Sequence, residues 1–404
     1  MEDFKIVNGV LVGCLNKKLT SITIPDGVTE IGGFAFRFCT ELTSVVISDG
    51  VTSIGSEAFS DCSNLANIVI PNSVTSIGYS AFRRCKKMKS IMIPNSVTYI
   101  SDRAFYGCTG LKRIIIPGSV TRINDSMFEG CTRLTSVSIG NGVTNIGYNA
   151  FKYCTNLTSI TIPDSVKRIC PWAFYGCTGL TDITIPNSVT SIGYSAFYGC
   201  TGLTSIVIPN GVTDIEYDTF YGCTGLTSIT IPDSVTKIGQ SAFKNCTGLT
   251  SITIPDNVSS IGNLAFSRCS NLKNIKIGNG VRHIGGYAFE CCIGLTSQIK
   301  NYKAFSINDG HLQCRSVLFS SMQWSDQIDN IEICRRGYHY CTNLFDIFNH
   351  YSGKIDEDIA IYECEVGDEI YSTEYGDSKH VTNKIKPVKR LYREDIIRIL
   401  NGQD

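Results

Sequence analysis

The sequence predicts a solenoid of twelve 23-residue coils, built from short parallel strands and helical turns, followed by a small α+β domain. The first observation is a phenylalanine that recurs every 23 residues from Phe36 to Phe289, with a cysteine three residues after each. A fixed period of this length indicates units that bury their apolar faces only against their neighbours. The second observation is compositional. Residues 1–295 contain 42 Lys, Arg, Asp and Glu, whereas the last 109 residues contain 30, which marks a change of domain.

The first element is a cap formed by residues 1–19. Apolar and polar residues alternate from Phe4 to Leu19 around Asn8-Gly9, a dipeptide typical of a two-residue hairpin. Because an uncapped solenoid would expose its core and a strand edge, we expect this hairpin to cover the first coil.

Each repeat contains two extended segments and one turn that reads as helical. The segment LTSITIP alternates with period two and predicts a short strand with one buried face. Pro followed by Asp or Asn predicts a turn, and VTxIG predicts a second short strand whose glycine permits a corner. The AFxxC piece places Ala, Phe and Cys at i, i+1 and i+4, so we expect one helical turn with these three side chains inward.

The repeat LTSITIPDSVTSIG followed by AFxxCTGL resembles the BspA type of leucine-rich repeat. The resemblance covers residues 18–295 and predicts a leucine-rich repeat solenoid over residues 20–299. It implies a recognition or adhesion surface, and many proteins with this repeat are exported.

Charge and cysteine content indicate the cellular compartment of the protein. The formal net charge is zero, the N-terminal segment lacks the basic residues of an export signal, and no run of 18 apolar residues exists to span a membrane. Twelve of the 19 cysteines occupy one repeat position, where parallel stacking gives poor disulfide geometry. We expect free buried thiols, a cytoplasmic protein and no membrane association.

A candidate partner-binding face lies on the outward position of the first strand of each coil. Four consecutive coils place apolar side chains there, at Val46, Val69, Met92 and Ile115. Residues 83–133 carry three acids and ten basic residues, which are Arg83, Arg84, Lys86, Lys87, Lys89, Arg103, Lys112, Arg113, Arg122 and Arg133. An apolar strip beside positive charge predicts a protein-binding surface. The alternative is that β-branched residues merely suit strand surfaces and that repeats drift in charge.

Two further surface features are open to interpretation. The local excess of positive charge would favour phosphate, but a neutral chain without a nucleic-acid-binding module argues against nucleic acid. Tyrosines recur after the repeat phenylalanine and three residues before it, and they are either interface anchors or a cover for the Gly-Cys corner. They are Tyr79, Tyr106, Tyr148, Tyr175, Tyr194, Tyr198, Tyr217 and Tyr221.

Residues 300–404 predict a separate α+β domain. Strand patterns occur in NYKAFSI, IEICRRGYHYC, AIYECEV and NKIKPVKRLY, and helical patterns occur in LFDIFNHY and at the C-terminus. Through NYKAF, ICRRGYHYCTNLFDIFNHY and KIKPVKRL this tail resembles a small uncharacterised domain of phage-encoded proteins. The resemblance implies a phage or mobile-element protein that acts on a host factor.

The tail also has an enzymatic interpretation. Its Gly-Tyr-His-Tyr strand and tyrosine-ended helix resemble the nicotinamide pocket of ADP-ribosyltransferases. This would make Tyr338 and Tyr351 the residues that stack on NAD, with His339 beside them and Glu363 or Glu365 as the acid. The first strand, however, lacks the His-Gly or Arg of that family.

A zinc site is the third alternative for the tail, with ligands drawn from His311, Cys314, Cys334, His339 and Cys341. No CxxC or HxxxH spacing supports it, so ordinary packing is the preferred interpretation.

The sequence therefore favours a non-catalytic protein that captures a protein partner on its solenoid, with the tail as a cap or second contact and with no metal or cofactor.

Overall fold

The computed structural model describes residues 3–295 and, between residues 301 and 391, the backbone of eight strands. The chain forms two compact units, Met1–Thr230 and Ile231–Asp404. The described strands of the first unit are β1 (Phe4–Val7), β2 (Val10–Cys14), β3 (Ser21–Thr23), β4 (Glu30–Ile31), β5 (Ser44–Val46), β6 (Ser53–Ile54), β7 (Asn67–Val69), β8 (Ser76–Ile77), β9 (Ser90–Ile91), β10 (Tyr99–Ile100), β11 (Arg113–Ile116), β12 (Arg122–Ile123), β13 (Ser136–Ile139), β14 (Asn145–Ile146), β15 (Ser159–Thr161), β16 (Arg168–Ile169), β17 (Asp182–Thr184), β18 (Ser191–Ile192), β19 (Ser205–Val207), β20 (Asp214–Ile215) and β21 (Ser228–Thr230).

Each coil contributes one strand to each of two faces, as the two extended segments of the repeat predict. On the first face β3, β5 and β7 pair in parallel, as do β9, β11, β13, β15 and β17, and β19 pairs with β21. On the second face β2, β4, β6, β8 and β10 pair in parallel, as do β12, β14, β16 and β18. Between successive coils each residue pairs with the one 23 positions later, for example Ile114 with Val137. The 23-residue period is therefore the register of the sheets.

The predicted N-terminal hairpin is confirmed. Strands β1 and β2 are antiparallel, and β2 continues as a parallel neighbour of β4 in the first coil. Both loop residues have positive φ, 51° at Asn8 and 78° at Gly9. This is the backbone conformation that a two-residue hairpin needs to match the twist of its strands.

In the second unit the described strands first keep the parallel pairing of the repeat and then pair antiparallel. They are β22 (Lys237–Ile238), β23 (Ser251–Ile254), β24 (Ser260–Ile261), β25 (Asn274–Ile277), β26 (His283–Ile284), β27 (Asn301–Asn308), β28 (His311–Cys314), β29 (Val317–Phe319), β30 (Tyr340–Cys341), β31 (Ile359–Val366), β32 (Tyr371–Ser372), β33 (Lys379–Val381) and β34 (Ile385–Leu391). Strands β22 to β26 pair in parallel, whereas β27 to β34 pair antiparallel. Strands β27, β31 and β34 coincide with predicted ones, while the two predicted helices fall outside the described residues, so the α+β domain stays a prediction.

The expected helical turn after the second strand is wrong. No helix is present in residues 3–295, and the AFxxC segment consists of consecutive turns instead. In the first coil Phe34 and Phe38, two residues before and after Phe36, have φ of 63° and 61°, which a right-handed helix excludes. The amide of Phe36 donates to the carbonyl of Ala58 in the next coil at 2.7 Å. The turns thus form hydrogen bonds to the next coil as well as within their own, where the amide of Cys39 donates to the carbonyl of Phe36 at 3.0 Å.

The core is a stack of the repeat phenylalanines, as the sequence predicts. In the first unit the rings from Phe36 to Phe220 lie nearly parallel, with centroids 5.0–5.6 Å apart. The repeat cysteines form a second buried column beside it. The thiol of Cys62 donates to the carbonyl of Phe36 in the preceding coil at 3.0 Å, and this bond recurs in later coils. No cysteine of residues 3–295 is paired in a disulfide, as expected.

Glycines in the coil serve two different requirements. Gly199, two residues after its phenylalanine, has φ of +67°, and a Cβ there would lie 3.9 Å from the nearest atom. Gly225 has no positive φ, but a Cβ on it would lie 2.5 Å from the carbonyl oxygen of Thr201 in the preceding coil. Gly199 adopts a left-handed backbone conformation, whereas Gly225 allows its own backbone to lie close to that of the preceding coil.

We expect Gly225→Ala to destabilise the protein more than Gly199→Ala. The Gly199 substitution adds only left-handed strain, about 1 kcal/mol. The Gly225 substitution forces the neighbouring backbone to shift, which costs about 2–3 kcal/mol by analogy with overpacking. Urea titration of the two variants measures the difference, and the reverse ranking would contradict this assignment of the glycines.

Candidate functional site: the outer face of the first strands

Four outward side chains on successive coils form an exposed apolar surface, called the strip below and defined as Val46, Val69, Met92 and Ile115. Their exposed fractions are 43%, 58%, 83% and 67%. The strand alternation positions them, since the residues on either side of each one, such as Ile114 and Ile116, face the core. Val46 pairs with Val69 in the parallel register, and the same register places Met92 beside Ile115.

The strip is apolar only over these four coils. The following outward positions carry Ser138, Thr161 and Thr184, and the apolar residue reappears singly at Val207, which is 64% exposed. β-Branched residues suit strand surfaces. Met92 is not β-branched, and it is the most exposed of the four, so strand propensity does not explain it.

Three basic residues adjoin the strip on the N-terminal side of the strands. Arg113 is exposed two residues before Ile115, and Lys112 and Lys89 occupy the same repeat position on adjacent coils, where the amide of Lys112 donates to the carbonyl of Lys89 at 2.9 Å. Within the described part of the chain none of the three forms an ion pair. Their charges therefore remain available to a partner.

The other predicted basic residues lie elsewhere in the coil. Arg83 and Arg84 belong to the turn that follows the repeat phenylalanine, where both approach the carboxylate of Asp61, at 3.4 Å and 3.7 Å. Arg83 also lies 5.9 Å from the ring centroid of Tyr106. Lys86 and Lys87 are exposed in the segment between the cysteine column and the strand. The structure thus places Arg83 and Arg84 at the turn and Lys86 and Lys87 in the following segment, whereas Lys89, Lys112 and Arg113 lie beside the strip.

The tyrosines form stacks in the later coils of the first unit. The rings of Tyr175, Tyr198 and Tyr221 are stacked at 4.5 Å and 4.6 Å, and Tyr194 stacks on Tyr217 at 4.5 Å. Burial, followed by the neighbouring Tyr221, raises the pKa of Tyr198 to about 12. Because the rings stack face to face, it is mainly their edges and hydroxyls that face the solvent.

An aromatic cluster near the N-terminus is a feature that sequence reasoning missed. Phe34 and Phe38 are 52% and 56% exposed, and the guanidinium of Arg37 lies 5.3 Å and 4.8 Å from their ring centroids. Arg37 also approaches Glu57 at 3.2 Å. The signal was a large aromatic at two positions where other coils mostly carry small or polar residues.

The residues of the alternative pocket belong to the C-terminal part of the chain. Tyr338, His339 and Tyr351 lie outside the described residues, and Glu363 and Glu365 belong to β31, whose side chains are also outside them. The zinc hypothesis concerns the same part of the chain. Among the residues that the structure does describe, no three His, Cys, Asp or Glu side chains are grouped to hold a metal ion, and no helix there could cross a membrane.

Stacked coils with one parallel strand register define a repeat solenoid, the architecture that leucine-rich repeat proteins share. The model of the BspA type leucine-rich repeat region matches residues 13–135, 121–250, 194–312 and 236–359, and the chain belongs to this family. Its predicted resemblance to that family is confirmed. No curated protein matches the chain.

Two solved structures illustrate the similarity. A leucine-rich repeat protein from Bacteroides ovatus is 37% identical, over 69% of this chain and 78% of that one, with a TM-score of 0.60. A leucine-rich cell surface protein from Faecalibacterium prausnitzii is 31% identical, over 66% of this chain and 90% of that one, with a TM-score of 0.40. These matches concern repeat proteins and give no support to a phage-encoded or ADP-ribosyltransferase-like tail.

Proposed function

We propose that this protein is a non-catalytic recognition protein whose solenoid captures a protein partner on the strip, while the tail adds a cap or a second contact. The observation that carries the proposal is the set of four adjacent, exposed apolar side chains, of which Met92 is 83% exposed. Leucine-rich repeat proteins are generally protein-interaction scaffolds, which agrees with this proposal.

The energetics of the strip favour a protein over a small ligand. Burying a side chain of this size stabilises a complex by about 1.5–3 kcal/mol, so four of them supply a sizeable gross gain before the cost of association. The basic residues beside the strip would add steering and orientation more than affinity. An acidic rim on the partner is the complementary arrangement.

We expect the double variant Met92→Asp/Ile115→Asp to lose its partner without unfolding. Both side chains point into solvent, so two carboxylates there disturb no core contact, but partner contact would take both charges out of water against the apolar groups of the partner. Affinity purification from the cells that produce the protein, followed by mass spectrometry, measures the loss.

Val207→Asp is the control for a carboxylate on the outward face, because it places one on the same repeat position of a coil outside the strip. This variant should retain every partner. Circular dichroism and thermal unfolding of both variants establish that each still folds. If the double variant retains the partners of the unchanged protein, the strip is not the binding face.

A further inference from the structure

The spacing of successive coils is closer to the pitch of an α-helix than to the side-chain repeat of an extended strand. Neighbouring paired strands lie about 4.7–4.9 Å apart, and the stacked rings of the coils that carry the strip, from Phe59 to Phe128, are 5.5–5.6 Å apart. An α-helix rises 5.4 Å per turn, so over the three intervals of the strip it departs from the strand spacing by about 2 Å. Side chains on one face of an extended strand are about 6.6–6.8 Å apart and depart from it by about 6 Å over the same three intervals.

From this comparison we propose that the strip takes an acidic amphipathic helix of its partner, lying across the strands and parallel to the stacking direction of the coils. The inference rests on the proposed function and adds the class of partner. Each turn of such a helix would place one apolar side chain against one coil, with residues i, i+4, i+7 and i+11 facing the strip. Three coil intervals span about 14–17 Å, which corresponds to about 9–11 residues at 1.5 Å per residue.

The charges beside the strip specify which helix fits. Lys89, Lys112 and Arg113 are exposed on the N-terminal side of the strands, whereas the turns on the other side carry Asp49, Asn72, Asn95 and Gly118. A helix with Asp or Glu along one flank of its apolar face would meet the three basic residues, and its other flank would meet turns in which this position is not basic. A basic helix would be repelled.

The charges also give the helix a direction. The coil that carries Val46 has exposed acids at Glu41 and Asp49, and the coil that carries Ile115 has exposed Lys112 and Arg113. A helix carries partial positive charge at its N-terminus and partial negative charge at its C-terminus. Its N-terminus would therefore lie over the Val46 end of the strip and its C-terminus over the Ile115 end.

Selection of peptides on the full-length protein tests this inference without assuming a partner. Randomised peptides of about 16 residues, long enough for four helical turns, are displayed and selected on the Val207→Asp protein, whose strip is intact. Binders of Met92→Asp/Ile115→Asp are removed in a parallel step. The enriched peptides should carry apolar residues at helical spacing with Asp or Glu on one flank, and should bind the double variant at least about tenfold more weakly, a difference of about 1.4 kcal/mol.

The outcomes separate the two proposals. Enrichment of peptides with period-two apolar spacing, of basic peptides, or of none above the double variant would overturn the helix inference. In those cases the proposed function still stands if the double variant loses its cellular partner. If the double variant keeps that partner, the proposed function fails as well.

Discussion

Replacing Phe174 with alanine is expected to lower the free energy of unfolding by about 3–5 kcal/mol, because the removed ring leaves a cavity in a closely packed stack. Phe174 is fully buried, and its ring lies between those of Phe151 and Phe197, at centroid distances of 5.4 Å and 5.3 Å. The backbone carbonyl of residue 174, which accepts the thiol hydrogen bond of Cys200 at 3.2 Å, survives the substitution. The expected loss of stability therefore comes from lost packing contacts and not from this hydrogen bond.

The destabilisation should also be confined to the coils near the substitution. Because each coil is supported only by adjacent coils, hydrogen exchange should accelerate first in the coils around residue 174. Phe38→Ala is the control, since it removes the same ring from a position that is 56% exposed. That variant should lose less than about 1 kcal/mol, mainly from the contact with Arg37. Equal losses in the two variants would contradict the stacked core.

Alkaline pH is expected to unfold the repeat array through its cysteine column. Burial raises the pKa of the Cys108, Cys177 and Cys223 thiols to about 12. An unfolded thiol ionises near pH 8.5, so between about pH 8.5 and 12 the folded protein retains protons that the unfolded chain releases. The stabilisation is complete below the unfolded pKa, and it is lost as the pH rises at about 1.4 kcal/mol per pH unit for each thiol.

The variant Cys177→Ser isolates one member of the column. A serine hydroxyl can donate to the carbonyl of Phe151, which the thiol of Cys177 now reaches at 3.1 Å, but it does not titrate in this range. Urea titrations between pH 8 and 10.5 should give a shallower fall in stability for the variant, by about 1.4 kcal/mol per pH unit. Identical slopes would show that Cys177 ionises as readily in the folded protein as in the unfolded one.

The sequence predicts the repeating part of the fold well because each coil is a local pattern copied in register. The alternation in LTSITIP, the Asn8-Gly9 hairpin and the inward phenylalanines and cysteines are all confirmed. The helical turn was wrong because Ala, Phe and Cys face inward at i, i+1 and i+4 in either conformation. The missed signal was the glycine two residues after some phenylalanines, such as Gly199, whose φ is +67°. A glycine at a fixed repeat position indicates a left-handed residue.

The surface was harder to predict than the core. Strand alternation correctly placed Met92 and Ile115 in solvent, because strand parity determines which residues face out. Strand alternation did not predict that Arg83 and Arg84 approach an acid instead of the strip. Their ion pairs depend on the carboxylate of Asp61 in the preceding coil. The exposed Phe34 and Phe38 were overlooked for a similar reason. Aromatic residues usually pack inside, whereas these two lie in turns and are 52% and 56% exposed.

Photocrosslinking tests the central claim most directly, with a photoreactive residue placed at position 92 or, in a second protein, at position 207. Both positions lie on the same outward face, but only position 92 belongs to the strip. In the cells that produce the protein, position 92 should form a covalent adduct with a partner protein, through a segment rich in Asp or Glu, and position 207 should form none. Adducts of equal yield at both positions, or at position 207 alone, would contradict recognition through the strip.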